Sequence, residues 1–377
     1  MLKRKMTLFK LLGFAVSVDA SWGIILFLVV WSLAKGLFPS YFPDLSIQTY
    51  WLMGLVGAMG LFVSIIIHEF SHSLVARKYG LEIKGITLFI FGGIAEMKDE
   101  PNSPKTEFLM AIAGPIASLM LSALFAALYQ VANMLALSVP IIGVLGYLSA
   151  INMLLAVFNM VPAFPTDGGR ILRSLLWWIK GDIHWATRVA SRISLVFSIV
   201  IIFTGFMNMI GGDALGGLWW ILIGSFLFSA ANASYQRLQI KESFEGKTVR
   251  HFMNSTPVTV PSHITLQEFV DQYLYHYHYK MFPVAKDDKI LGIITIQMLK
   301  AYPREEWKHL LVDKVMQLQN PKNSIASSTF INDALNKMSE TGFSRLLVVE
   351  HKKIVGIITL KDLLEYLALK MELETTP

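Results

Sequence analysis

Six times along this chain an apolar run reaches the roughly 20 residues that an α-helix needs to cross a bilayer core. The runs lie at about 20–38, 49–79, 105–133, 138–162, 185–210 and 214–235. Inside lipid every backbone polar group must be satisfied within the protein, so runs of this kind fold as bundled helices. Composition agrees. Of the 377 residues, 54% are hydrophobic and 16% charged, against about 45–50% apolar and about 25% charged in soluble domains. The opening MLKRKMTLFKLLGFAVSVDASW has the basic start of a signal peptide. Its apolar part is short and broken by Asp19, so it reads as an uncleaved cytoplasmic leader.

The basic residues keep to alternate connections. Lys3, Arg4, Lys5 and Lys10 precede the first run, whereas residues 38–50 carry no Lys or Arg. Arg77, Lys78, Lys84, Lys98 and Lys105 surround the second connection, and the third, near 134–138, is uncharged. Arg170, Arg173, Lys180 and Arg188 lie between the fourth and fifth runs, and Arg237, Lys241 and Lys247 follow the sixth. Alternation of this kind places both termini in the cytoplasm. It also accounts for the net charge of +6 without a nucleic-acid partner. The chain has no cysteine, which excludes disulfides, thiolate ligands and a cysteine nucleophile.

The second run ends in His68-Glu69-Phe70-Ser71-His72. On a helix, residues four apart share a face, so the two imidazoles can bind one zinc ion. Glu69 between them is placed to take a proton from metal-bound water. Three ionisable groups in an apolar span are costly and mark a functional site. A hydrolytic zinc site needs a third ligand and an open position. Asp167, Glu96, Asp99, Glu107 and His184 are the candidates, with Asp167 preferred for its place after a proline break on the same side. The other reading of Asp167 is a cap on the helix beginning near Gly168. Two His and a carboxylate would let zinc lower its water's pKa to ~7. Glu69 would then act as base and later as acid toward the leaving amine. An Asn side chain would assist the polarised carbonyl.

Two connections are unusual. Residues 82–97, EIKGITLFIFGGIAEM, are too short to span and read as two extended segments around a turn. They form either an interfacial loop or a segment dipping into the membrane against protein. In NMVPAFPTDGGR, residues 159–170, Pro162 and Pro165 end the fourth helix and Gly168-Gly169 permit unusual backbone. Ser149, Asn152, Ala156 and Asn159 form a small or polar stripe leading to that break. Asn152 reads as an interhelical hydrogen bonder, and Asn159, beside the break, as part of the site.

From about residue 246 the sequence becomes mixed and polar, and it repeats at an offset of 63–64 residues. Val249-Arg250-His251-Phe252-Met253 answers Val312-Asp313-Lys314-Val315-Met316, and Leu291-Gly292-Ile293-Ile294-Thr295 answers Val355-Gly356-Ile357-Ile358-Thr359. Each unit reads as a short strand, a helix, an apolar hairpin and a closing helix. The run Tyr275-His276-Tyr277-His278-Tyr279 reads as packing and surface. The whole is a multi-domain membrane protein: a polytopic α-helical membrane domain of six transmembrane helices over 1–240, and a cytoplasmic α+β tandem over 246–302 and 309–370.

HEFSH in a membrane span, followed by the distal N-x-x-P-x-x-P-x-D-G pattern from Asn159 to Gly168, resembles the site-2 proteases. These are zinc metalloproteases that cut transmembrane helices. The leader, the FGGIAEM loop and Gly114-Pro115 fall in the expected order, and the resemblance covers about residues 7–240. It implies His68, His72 and Asp167 as zinc ligands, Glu69 as catalytic acid/base and Asn159 as support for substrate or oxyanion. Ser118 stands where many members have Asn. The tandem resembles a pair of cystathionine-β-synthase (CBS) domains, which bind ATP, ADP or AMP through G-x-x-T-x-x-D. Gly356, Thr359 and Asp362 fit that pattern, whereas Met298 breaks it in the first repeat. The resemblance therefore implies one nucleotide site. It also implies a homodimer through the CBS pair, a multi-pass protein of a prokaryotic cell membrane, and a membrane-anchored protein substrate in regulated intramembrane proteolysis. A CBS-regulated transporter or channel and a metal-binding pseudoprotease are the alternatives.

Overall fold

The apolar runs become helices because nothing else satisfies their backbone. In the computed structural model, which describes residues 5–19, 21–89, 92–97, 101–287, 289–351 and 353–374, six helices are long and apolar enough to cross a membrane. They are α1 (Trp22–Tyr41), α2 (Ile47–Lys78), α3 (Pro104–Met134), α4 (Val139–Asn159), α6 (Ile183–Ile210) and α7 (Ala214–Ser243). Between α4 and α6 runs a shorter helix, α5 (Asp167–Lys180). Their starts follow local chemistry. Ser46 and Ser103 accept from the Thr49 and Thr106 amides, and Pro104 opens α3 where a missing N–H costs nothing. The chain divides into two compact units, Met1–Leu238 and Gln239–Pro377.

In the first unit the helices pack through small residues and paired polar groups, as expected where lipid removes the hydrophobic drive. A side chain at Gly54 would come within 2.8 Å of the Val30 carbonyl, so glycine there is what lets α1 and α2 approach. Asn152 on α4 is fully buried and donates to Ser64 Oγ on α2 at 3.0 Å. Ser122 and Ser149 each donate to the other's carbonyl, at 2.9 and 3.0 Å.

The leader is part of the fold. β1 (Lys5–Leu11) and β2 (Phe14–Asp19) form a hairpin, and β3 (Ile83–Phe89) and β4 (Gly92–Met97) form another. β2 pairs in parallel with β3, giving a four-stranded sheet in the order β1-β2-β3-β4. The parallel pairing is reached by crossing through α1 and α2. The sheet is anchored on α2: Phe14 meets Phe70 edge-on at 5.4 Å. Arg77 lies 4.5 Å over the Phe14 ring and donates to the Leu12 carbonyl.

The second unit holds two small sheets. One runs β5 (Val260–Pro261), β6 (Met281–Lys286), β7 (Lys289–Thr295), β8 (Gln317–Leu318). The other runs β11 (Lys353–Thr359), β10 (Arg345–Glu350), β9 (Ser324–Ala326). Helices α8 (Ile331–Thr341) and α9 (Leu360–Glu374) cover the second. The packing unit is out of phase with the sequence repeat. Val249 is buried in the core of the second repeat with Ile331, Leu346 and Ile358, whereas Val312 is buried in the first with Leu266, Phe282 and Ile294. Backbone bonds repeat the exchange: Val249 donates to Thr329 at 2.8 Å, and Val312 to Ile264 at 2.9 Å.

Candidate metal centre

His68 and His72 lie one turn apart on α2, and both are buried. Asp167 is the first residue of α5. Their ligand atoms converge. The two Nε2 atoms are 3.2 Å apart, and Oδ2 of Asp167 stands 3.1 Å from His68 and 3.2 Å from His72. Donors bound tetrahedrally at zinc's usual nitrogen and oxygen bond lengths are separated by about 3.3 Å. The three atoms thus stand close to three corners of such a tetrahedron. Among the described residues they are the grouping of His, Asp and Glu able to hold a metal ion.

One face of α3 supports this set. Nδ1 of His72 donates to the Met110 carbonyl at 2.6 Å, so its neutral ring presents the Nε2 lone pair to Asp167 and His68. Ser118 Oγ meets Nδ1 of His68 at 2.9 Å and holds that ring in place. Between them is Gly114, where a Cβ would overlap His72 Nε2 and come within 2.6 Å of His68 Nε2. The His72 lone pair and the Asp167 carboxylate thus face one point beside Nε2 of His68, an arrangement suited to a cation. The donor set fits zinc.

The proline break positions Asp167. Thr166 turns its hydroxyl back to the Ala163 carbonyl at 2.8 Å, and the Phe164 amide donates to Ser194 Oγ on α6 at 2.8 Å. Asp167 therefore serves the histidines, and the reading of it as a cap gives way. Glu107 does not join them; it is fully buried on α3 and paired with Arg173 of α5. Arg170 lies 4.0 Å from the same carboxylate oxygen, and burial pulls its guanidinium below the usual arginine range against the pull of Glu107. Glu96 is on β4 opposite Gly85, Asp99 lies outside the described residues, and His184 opens α6 with its amide on Asp182.

Glu69 is half-buried and emerges about 100° round the α2 axis from His68. Asn159 closes α4 and donates to the Leu155 carbonyl one turn back, at 3.0 Å. One N–H of its amide is thus used on its own helix. Asn152 makes the interhelical bond to Ser64. In the second unit, Thr359 accepts from the Asp362 amide at 3.2 Å and lines a cavity of about 430 Å³ with Ser344, Arg345, Lys361 and Leu364. Met298 packs on Met281, Ile293, Leu347 and Ile357 instead of facing such a cavity. The Tyr275–Tyr279 run is surface: Tyr275 and Tyr279 are exposed, and Tyr277 stacks near Tyr279 at 6.0 Å.

A membrane-spanning bundle with a two-histidine, one-carboxylate zinc constellation and a glutamate beside it defines a metalloprotease. The sequence matches Peptidase family M50 over residues 56–137 and 130–203, and the CBS domain over 249–304 and 315–369. It is 34% identical over 351 residues to sll0528 of Synechocystis sp., which carries a provisional zinc metalloprotease name, covering 92% of this chain and 91% of that one. It is 30% identical to the zinc metalloprotease MJ0392 of Methanocaldococcus jannaschii, over 97% and 98% of the two chains. The site-2 protease structure from Methanocaldococcus jannaschii aligns at 28% identity and TM-score 0.42, covering 62% of this chain and 95% of that one. The chain belongs to peptidase family M50. It is a multi-pass zinc metalloprotease of the site-2 protease type with C-terminal tandem CBS domains.

The geometry predicts a severe effect of one methyl group. Gly114→Ala in the purified full chain should keep its helical circular dichroism while zinc affinity, read by chelator competition, falls about 10–100-fold, the usual cost of disturbing a ligand's supporting shell.

Proposed function

We propose that this protein hydrolyses peptide bonds within or near the transmembrane helices of membrane-anchored proteins, from the cytoplasmic side. The observation that carries the reading is the convergence of His68, His72 and Asp167 on a membrane span, beside Glu69. In it, zinc bound by these three residues supplies a Lewis acid for the scissile carbonyl and an acidified water. Glu69 accepts the proton of the attacking water and passes it to the leaving amine. Met110 and Ser118 hold the imidazoles so that neither Nε2 can turn away. Asn159, which closes α4 at the break, bonds the substrate backbone. A helix must unwind before its peptide bonds can be reached. β4 ends the four-stranded sheet, and its outer edge offers main-chain pairing to such an extended segment. The alternation of basic connections places the site toward the cytoplasm.

The cavity beside Thr359 supports a second element of the reading, control by adenine nucleotide. Arg345 and Lys361 bring positive charge to its wall, and Asp362 follows Thr359 in the G-x-x-T-x-x-D pattern that the resemblance associates with ribose.

Two outcomes are expected. Glu69→Gln should reduce cleavage of a tagged single-span substrate by about 10²–10⁴-fold, the range of general acid–base catalysis, with zinc content equal to wild type. Turnover at the wild-type rate would end the assignment of Glu69. ATP, ADP or AMP should bind the full chain and change its cleavage rate, and Asp362→Ala should weaken that binding. An unaltered rate with all three would remove nucleotide control.

A further inference from the structure

Glu107 is the charged residue the chemistry leaves over. It is fully buried in the first turn of α3, and Oε1 accepts from Arg173 Nε at 2.8 Å and more closely from Nη2. Oε2 is buried with no hydrogen-bond partner. Stability alone is a poor reason for such a pair, since apolar residues of similar volume usually serve as well. Its location supplies a better one. Arg173 is on α5, the helix that Asp167 begins, and its guanidinium also lies 5.6 Å over the ring of Phe164 in the break. One turn after Glu107 on α3, Met110 holds His72 through its carbonyl. Glu107 and Met110 thus reference Asp167 and His72 to the same rigid helix.

We propose that Glu107 is a positioning residue for the metal site: through Arg173 it fixes α5 on α3 and so sets where the Asp167 carboxylate meets the two histidines. The inference rests on these three residues being the zinc ligands, and the test separates the two. In full-length protein in lipid nanodiscs, zinc affinity is measured by chelator competition beside the thermal transition. Asp167→Asn tests the ligand assignment alone. Glu107→Gln should weaken zinc binding about 10–100-fold, the range for residues that orient ligands. The double variant Glu107→Gln, Arg173→Met removes the closest pair together and leaves Arg170 as the remaining cation; it should be more thermally stable than Glu107→Gln alone while zinc affinity stays low. Wild-type affinity in the folded double variant would overturn the proposal, whatever its transition temperature. Wild-type affinity in Asp167→Asn would defeat the ligand assignment instead.

A second inference comes from the other unit and rests on the nucleotide reading of its cavity. Helix α9 has two occupied faces. Lys361, Leu364, Glu365 and Ala368 line the cavity. Leu363 and Leu367, with Tyr366, pack against Phe244 and Phe252 in the core of the second repeat. Phe244 is the residue that follows Ser243, with which the last span ends. Its ring lies 5.6 Å from those of Phe252 and Tyr366. Lys247 closes the arrangement, hydrogen-bonded to the Tyr366 hydroxyl with its ammonium 4.2 Å from that ring. The residue that follows the span is therefore packed on the same helix that walls the cavity.

We infer that α9 is the relay by which cavity occupancy reaches the end of α7. Tyr366→Phe and Lys247→Met loosen the grip without touching the cavity. Both variants of the full chain in nanodiscs should bind ATP and AMP with wild-type affinity and cleave at the wild-type basal rate. The response of cleavage to nucleotide should collapse toward unity. A full response in both variants would overturn the relay. A wild-type chain that binds neither nucleotide, or binds without any change in rate, would defeat the regulatory reading beneath it.

Discussion

Three metal-ligating side chains in an apolar interior are tolerable only if each is held by a partner that lipid cannot supply. α3 is that partner. Glu107, Met110, Gly114 and Ser118 follow one another at spacings of three, four and four, so they occupy one helical face. Met110 offers a carbonyl to His72, Ser118 a hydroxyl to His68, Glu107 a carboxylate to the helix of Asp167, and Gly114 the space. Each solves a different local problem. Had α3 been apolar along this face, the Met110 carbonyl would still have held His72, but His68 would have lost its Nδ1 partner, and a buried group left unpaired costs about 1–3 kcal/mol.

Much of this was legible in the residues. Apolar length gave the six helices, and the spacing of His68 and His72 placed both rings on one face. Asp167 stood out because it follows a proline break and is itself followed by two glycines where a helix must start. The support was harder to see. The Met110 carbonyl has no side-chain signature, since every residue owns one. Ser118 looked like a smaller replacement for Asn, and only the 2.9 Å contact reveals what its hydroxyl holds. Glu107 was a plausible ligand by residue type; its use as a pair for Arg173 depends on the crossing of α3 and α5, which no local pattern encodes. Asn159 was read from its nearness to the break, and one N–H of its amide reaches back to Leu155.

The leader and the tandem repeat teach the same lesson about non-local pairing. Residues 5–19 look like a charged tail because their strand partner, β3, lies beyond two membrane spans. Once paired, Val16 and Val18 are buried, and Phe14 joins the aromatic contact with Phe70 beside the second histidine. In the tandem, the repeat offset correctly aligned Val249 with Val312, but alignment says nothing about which core each enters. They enter each other's. Each core is thus completed by the opening segment of the other repeat.

The three residues are held in two different ways. His68 and His72 belong to a continuous 32-residue helix, whose backbone bonds make their separation a fixed property of the turn. Asp167 belongs to a 14-residue helix after a break, and side-chain contacts hold it in place. Those contacts are the Ser194 bond to Phe164 and the Arg173 pairing with Glu107. Breaking one partner of a buried ion pair typically costs about 3–5 kcal/mol, enough to keep α5 seated yet far less than unwinding a span.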